Sequence, residues 1–118
     1  MTPSTIPIQP YSPEDFLVDQ LELLLLEDVE TIIESEASDG TPRATFRFDR
    51  RGNPRSSTEG EMLRDQALGI IRPFARALVK ILIRQEPNLF DLDLDEFRAG
   101  SKYKDALRNV KERVSRIL

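Results

Sequence analysis

Two long stretches of this chain repeat their apolar residues at the period of an α-helix, and no other feature constrains the fold as strongly. The first covers residues 12–35, where Leu17, Leu21 and Leu24 begin one broad apolar arc at about 100° per residue. The second covers residues 59–85, and a narrower apolar stripe follows over residues 101–118. We therefore predict a mainly α fold, a small bundle of three substantial helices.

The starts of these helices carry capping signals. Ser12 precedes the first apolar arc and is a good N-cap residue. Thr58 is followed three residues later by Glu61, a capping-box pattern that predicts the start of the second long helix. Asp93 and Glu96 have the same spacing and predict the start of a short helix before the last one.

Between the two long helices the apolar period changes. Over residues 41–49, Ala44, Phe46 and Phe48 alternate with polar residues, which is the pattern of a half-buried strand. The Arg-Gly-Asn-Pro sequence at 51–54 then predicts a turn. We predict one short β strand or hairpin between helices 1 and 2, the alternative being an exposed loop anchored by the two phenylalanines.

Length and composition limit the domain organisation and the chemistry. The 118 residues fit one domain, and they include no Cys and no His, which excludes disulfides and imidazole catalysis. Residues 1–11 contain three prolines without periodicity and predict an extended or disordered N-terminal arm, with residues 12–118 as a single helical domain. No Lys or Arg precedes Arg43, so the N-terminus resembles neither a secretory signal nor a transit peptide. No apolar stretch reaches the ~18 residues that span a bilayer. We expect a cytoplasmic location and no membrane association.

The net charge of −4 hides strongly charged blocks. Residues 1–42 carry ten acidic residues and no basic one, whereas residues 43–84 carry ten basic residues and four acidic ones. Residues 85–97 are acidic again and residues 98–118 are basic. We interpret this alternation as acidic and basic helices lying side by side, within one chain or across a dimer. The alternative is that the basic blocks face a polyanion.

The first helix carries apolar residues on more than one side. Phe16, Leu23 and Leu26 lie outside its main apolar arc, beside the acidic positions. Because a helix that is apolar on several sides is buried on several sides, we predict that these residues mediate self-association as a homodimer. Asp28 projects into the apolar arc instead. A carboxylate there needs a partner, so we predict a buried ion pair with an arginine of the second helix.

An arginine-rich segment follows the first helix. Arg47, Arg50 and Arg51 are predicted to lie on an exposed turn and to bind a partner, because guanidinium groups on a free turn are available for contact. We predict a small non-enzymatic assembly or adaptor protein that binds itself and an unidentified protein, with no cofactor and no metal. The alternative is a nucleic-acid-binding accessory protein that uses these arginines and the basic helix faces.

Acidic residues of the first helix support a third hypothesis. Glu27 and Glu30 form an ExxE element that resembles the Mg²⁺-binding element of the all-α nucleotide pyrophosphohydrolases. The resemblance implies a second acidic pair on another helix and hydrolysis of nucleotides with Mg²⁺. The second helix offers Glu61 and Asp65, spaced by four residues rather than three, so this sequence departs from the family pattern.

Overall fold

The computed structural model describes residues 12–38, 43–85, 88 and 92–118. These residues form four α-helices: α1 (Pro13–Ala37), α2 (Ser57–Gln85), α3 (Leu94–Ala99) and α4 (Ser101–Ile117). The mainly α class is therefore confirmed. The predicted arm at residues 1–11 lies outside the described residues.

The three long helices form a bundle in which each contacts the other two. Glu22 and Glu30 of α1 pair with Arg72 and Arg64 of α2, so the two helices run antiparallel. Asp28 contacts Tyr103 and Glu36 contacts Lys111, so α4 runs parallel to α1. The shared core contains fully buried apolar side chains from all three helices: Leu21, Leu25, Val29, Ala67, Ile71, Ala75, Val110 and Val114.

The helix starts follow from local hydrogen bonds. The Ser12 hydroxyl accepts from the N–H of Asp15, and the Asp93 carboxylate accepts from two N–H groups of α3, which confirms both predicted caps. The predicted cap at Thr58 is wrong, because the Ser56 hydroxyl accepts from the N–H of Glu59 at 3.1 Å. Ser56 and Glu59 have the capping-box spacing too, so the spacing alone does not decide whether Ser56 or Thr58 caps the helix.

The predicted strand or hairpin between α1 and α2 is wrong as well. The only pairing in the described part of this segment is an isolated β-bridge between Phe48 and Pro54. The Thr45 hydroxyl accepts from the N–H groups of Arg47 and Phe48, which turns the backbone and ends the alternation. As a result Phe46 is buried, at 2% exposure, whereas Phe48 is 45% exposed.

The buried Phe46 brings this segment against the start of α2. A Cβ atom on Gly60 would lie 3.2 Å from the carbonyl oxygen of Phe46, so glycine permits the close approach. The Arg64 guanidinium lies 5.5 Å from the centre of the Phe46 ring, on its face. The segment is thus packed onto the bundle although its described residues form no sheet.

Candidate functional site

Acidic α1 is neutralised largely within the chain. Glu22 accepts a hydrogen bond from Arg72 at 2.8 Å, and Glu30 accepts one from Arg64 at 2.6 Å. Further ion pairs on α1 join Glu34 to Arg47, Glu36 to Arg43, Glu36 to Lys111 and Asp28 to Arg98. Acidic and basic elements therefore lie side by side within one chain.

Asp28 accepts hydrogen bonds from two residues, one of α3 and one of α4. Its carboxylate accepts two hydrogen bonds from the Arg98 guanidinium and one from the Tyr103 hydroxyl, with 17% of its side chain exposed. Burial, together with the hydrogen bond to Asp28, raises the pKa of Tyr103 above its usual value. The predicted pairing of Asp28 with an arginine of α2 is wrong, because the partner is supplied by α3. The arginines of α2 form ion pairs with other acidic residues of α1, Arg64 with Glu30 and Arg72 with Glu22.

The predicted self-association residues differ in their surroundings. Phe16 and Leu23, about two helical turns apart, are 52% and 58% exposed. Leu26 is half-buried and packs against the core. It lies between Glu22 and Glu30 in a stripe of four-residue steps, and both acids contact α2, so α2 covers this side of α1. Leu23 is therefore the most exposed of the three.

The arginine turn is built around Asp49. Its carboxylate accepts from the N–H groups of Arg51 and Asn53, and the hydrogen bond from Asn53 lowers the pKa of Asp49. Gly52 completes the turn with φ of +80°, a backbone conformation that favours glycine. The turn holds Arg50 and Arg51 on the surface, as predicted from the sequence.

Arg47 lies before this turn and differs from its neighbours. It pairs with Glu34 at 3.5 Å while 69% of its side chain stays exposed. Among the described residues, Arg50 and Arg51 form no ion pair. The structure thus leaves two of the three predicted partner-binding arginines without an electrostatic partner in the part of the chain that it describes.

Arg55 is a structural residue that the sequence did not single out. Its guanidinium donates to the carbonyl oxygens of Thr45, Phe48 and Leu118 and to the Glu59 carboxylate, at 2.7–3.2 Å. Only 8% of its side chain is exposed. It joins the α1–α2 segment to α2 and to the end of α4. No local pattern distinguishes it from the exposed arginines five or fewer residues away.

Other cations of the described residues have neither an ion pair nor an aromatic partner. Besides Arg50 and Arg51, they are Arg76, Lys80, Arg84, Lys102 and Lys104. Arg76, Lys80 and Arg84 recur every four residues and are exposed, so they form a basic stripe along the C-terminal half of α2.

The acidic pairs considered for Mg²⁺ are not assembled into a metal site. Glu30 of the ExxE element is held by Arg64. Within the described ranges, no group of three or more acidic side chains lies close enough together to hold a metal ion.

Comparisons with known proteins give no relative. No protein-family model matches the sequence. No curated protein and no solved structure matches it either. Over the part of the chain that the structure covers, no helix has the length and apolar content needed to cross a membrane. The residues themselves are therefore the basis for inferring function.

Proposed function

We propose that this protein is a non-enzymatic helical adaptor that works as a homodimer through the outer side of α1. The observation that carries the proposal is the exposure of Leu23. Its side chain is 58% exposed in the middle of a 25-residue helix. Burying a leucine side chain contributes about 1.5–3 kcal/mol, so a second copy that covers Leu23 in each subunit gains twice from the contact.

Ion pairs within the chain lower the negative charge that α1 presents. Glu22 and Glu30 are neutralised by arginines of the same chain, with N–O distances of 2.8 and 2.6 Å. Without these pairs, two acidic α1 helices would repel each other when brought together. The internal ion pairs reduce that repulsion, while Glu27, one helical turn after Leu23, stays exposed without an ion pair among the described residues.

The register of α1 and α2 also supports a symmetric contact. Glu22 is level with Arg72 and Glu30 with Arg64, so an eight-residue step along α1 matches an eight-residue step back along α2.

This register suggests how two copies fit together. A two-fold axis parallel to the helices sets α1 of one copy against α2 of the other, still antiparallel and at the same level. Leu23 of each copy is then covered between the two subunits. Both arginine turns come to one end of the dimer. Arg47, Arg50 and Arg51 of the two copies would then contact an acidic protein bivalently, which increases avidity without new contacts.

The test compares two substitutions of equal character. Leu23→Glu places a charge at the proposed interface, whereas Phe48→Glu does the same at an exposed apolar residue of the segment between α1 and α2, with 45% exposure. We expect the wild-type protein and Phe48→Glu to sediment as dimers at about 50 µM and Leu23→Glu to sediment as a monomer. Circular dichroism should show the same helix content in all three.

Two results would contradict the proposal. One is a wild-type protein that sediments as a monomer at every concentration up to about 1 mM, because association that weak would not support a functional dimer. The other is dissociation by Phe48→Glu but not by Leu23→Glu. A protein that retains an oligonucleotide at low salt and releases it at high salt would instead favour the nucleic-acid-binding alternative.

A further inference from the structure

A cleft between the arginine segment and the C-terminal halves of α1 and α4 has an unusual set of charges. Its volume is about 450 Å³, within the ~300–1,000 Å³ typical of small-molecule sites. Its described lining consists of Arg43, Arg50, Lys111, Glu36, Ser115, Ile33 and Ala44. Within this described lining, three cationic side chains surround one carboxylate, which leaves two positive charges in excess.

The single carboxylate is ionised and engaged by two of the cations. Glu36 accepts a hydrogen bond from the Lys111 ammonium, and Arg43 lies 3.2 Å from its other oxygen. The hydrogen bond from Lys111 is the main reason that the pKa of Glu36 is lowered, against the opposing effect of desolvation. Lys111 and Arg43 are thereby held at the cleft, 30% and 49% exposed, with N–H donors left for another acceptor.

Arg50 completes the cleft without an internal partner. It forms no ion pair with any described residue. The backbone that carries it is fixed on both sides, because the Asp49 carboxylate accepts from the N–H groups of Arg51 and Asn53 at 2.8 and 2.9 Å. A guanidinium on a fixed turn loses less entropy on binding than one on a flexible loop.

We infer that this cleft binds the phosphate monoester group of a small organic molecule. Arg50 and Arg43 present planar guanidinium donors that match phosphate oxygens, and Lys111 adds a third positive charge. The excess of two charges is close to the charge of about −1.5 to −2 that a phosphate monoester carries at neutral pH. Ile33 and Ala44 provide an apolar wall for the organic part. The Ser115 hydroxyl donates to the carbonyl of Lys111 and serves as wall only.

The position of the cleft sets its strength. It lies near the C-terminal ends of α1 and α4, where each helix dipole adds about half a negative charge. These dipoles oppose an anion, so we expect a dissociation constant of about 0.1–1 mM for a single phosphate group. The inference is independent of the proposed dimer, because no residue of the cleft belongs to the outer side of α1 near Leu23.

The experiment is an NMR titration of the full-length chain at low salt with adenosine monophosphate. Inorganic phosphate and adenosine are titrated separately, to distinguish the phosphate group from the base. We expect saturable shifts of the amide signals of Arg50, Ala44 and Lys111 with the nucleotide, weaker shifts of the same signals with phosphate, and none with adenosine.

Two neighbouring arginines supply the matched variants. Arg50→Gln removes a cation that lines the cleft, whereas Arg51→Gln removes an exposed cation beside it that does not line it. We expect Arg50→Gln to weaken nucleotide binding about tenfold and Arg51→Gln to weaken it less than about twofold. Glu36→Gln should tighten binding, because it removes the competing carboxylate and frees Lys111.

Several outcomes would overturn the inference. Adenosine monophosphate that causes no saturable shift up to about 10 mM would show that the cleft does not bind phosphate esters. Equal losses for Arg50→Gln and Arg51→Gln would show a diffuse basic surface in place of a cleft. Shifts with adenosine equal to those with the nucleotide would show that the base, and not the phosphate, is recognised.

Discussion

Arg55 and the pair Arg50–Arg51 belong to one short segment and have opposite environments. Arg55 has 8% of its side chain exposed and donates to four acceptors. Arg50 and Arg51 are exposed, and no described residue pairs with them. The same residue type therefore holds the fold together at one position and is available for binding four or five positions earlier.

The comparison shows that the acceptors near an arginine decide its role. Arg55 meets backbone carbonyl oxygens that the helices do not use, including those of Thr45 and Leu118. Satisfying a buried carbonyl contributes stability because an unpaired one costs about 1–3 kcal/mol. Among the described residues, Arg50 and Arg51 contact no such acceptor, so their guanidinium N–H donors are available to a ligand.

The largest test of this contrast is Arg55→Ala. It removes the donor to the backbone oxygens of Thr45 and Leu118 and the link to Glu59, so we expect the free energy of unfolding to fall by about 3 kcal/mol. Urea denaturation followed by circular dichroism measures the loss. Arg51→Ala is the control, with an expected change within about 0.5 kcal/mol. Equal effects of the two substitutions would remove the distinction between them.

Asp28, like Arg55, is a charged residue whose side chain is mostly buried, with 17% of it exposed. Tyr103→Phe removes one of three hydrogen bonds to the Asp28 carboxylate, and we expect a loss of about 1.5 kcal/mol at pH 7. The Arg98 pair remains in this variant, which is why the loss is smaller than for Arg55→Ala.

The same variant has a defined dependence on pH. Burial and Asp28 raise the pKa of Tyr103 in the folded protein above the value of about 10 that tyrosine has when unfolded. The neutral hydroxyl is therefore favoured by folding, and its contribution is full below pH 10 and falls as the pH rises further. Urea denaturation from pH 7 to 11 should show the difference between wild type and Tyr103→Phe shrinking above pH 10. A constant difference would contradict this.

The smallest expected effect concerns the boundary between the arginine segment and α2. Ser56→Ala removes the hydroxyl that accepts from the N–H of Glu59, and we expect a loss of about 1 kcal/mol. Thr58→Ala, at the position indicated by the sequence pattern, should cost clearly less because Thr58 lies inside the helix. Thermal denaturation of the two variants in parallel shows whether Ser56 or Thr58 caps α2.

Several features of the fold followed from short-range patterns. The caps at Ser12 and Asp93 were predictable because each depends on a backbone group within three residues. Phe46 and Phe48 were assigned wrongly to one side of a strand for a related reason. The alternation was visible, but the Thr45 hydroxyl competes for the N–H groups that a strand would use, and this outcome depends on the whole segment.

For the candidate interaction residues of α1, too, one property followed from the sequence and another did not. An apolar excess on α1 was readable from the sequence, because it depends only on helical spacing. Whether Leu23 or Leu26 stays exposed was not readable, because α2 covers one side of α1 and leaves the other open.

By itself, the sequence determined the class of the fold, the approximate extent of the long helices and the acidic character of α1, since these depend on neighbours along the chain. Only the tertiary structure decided which charges meet. Asp28 and Arg98 are 70 residues apart, and Glu30 and Arg64 are 34 apart. Several arginines have the same chemistry, so the packing of the helices selects the partner. The physical reason is that an ion pair depends on distance in space, which a one-dimensional pattern does not contain.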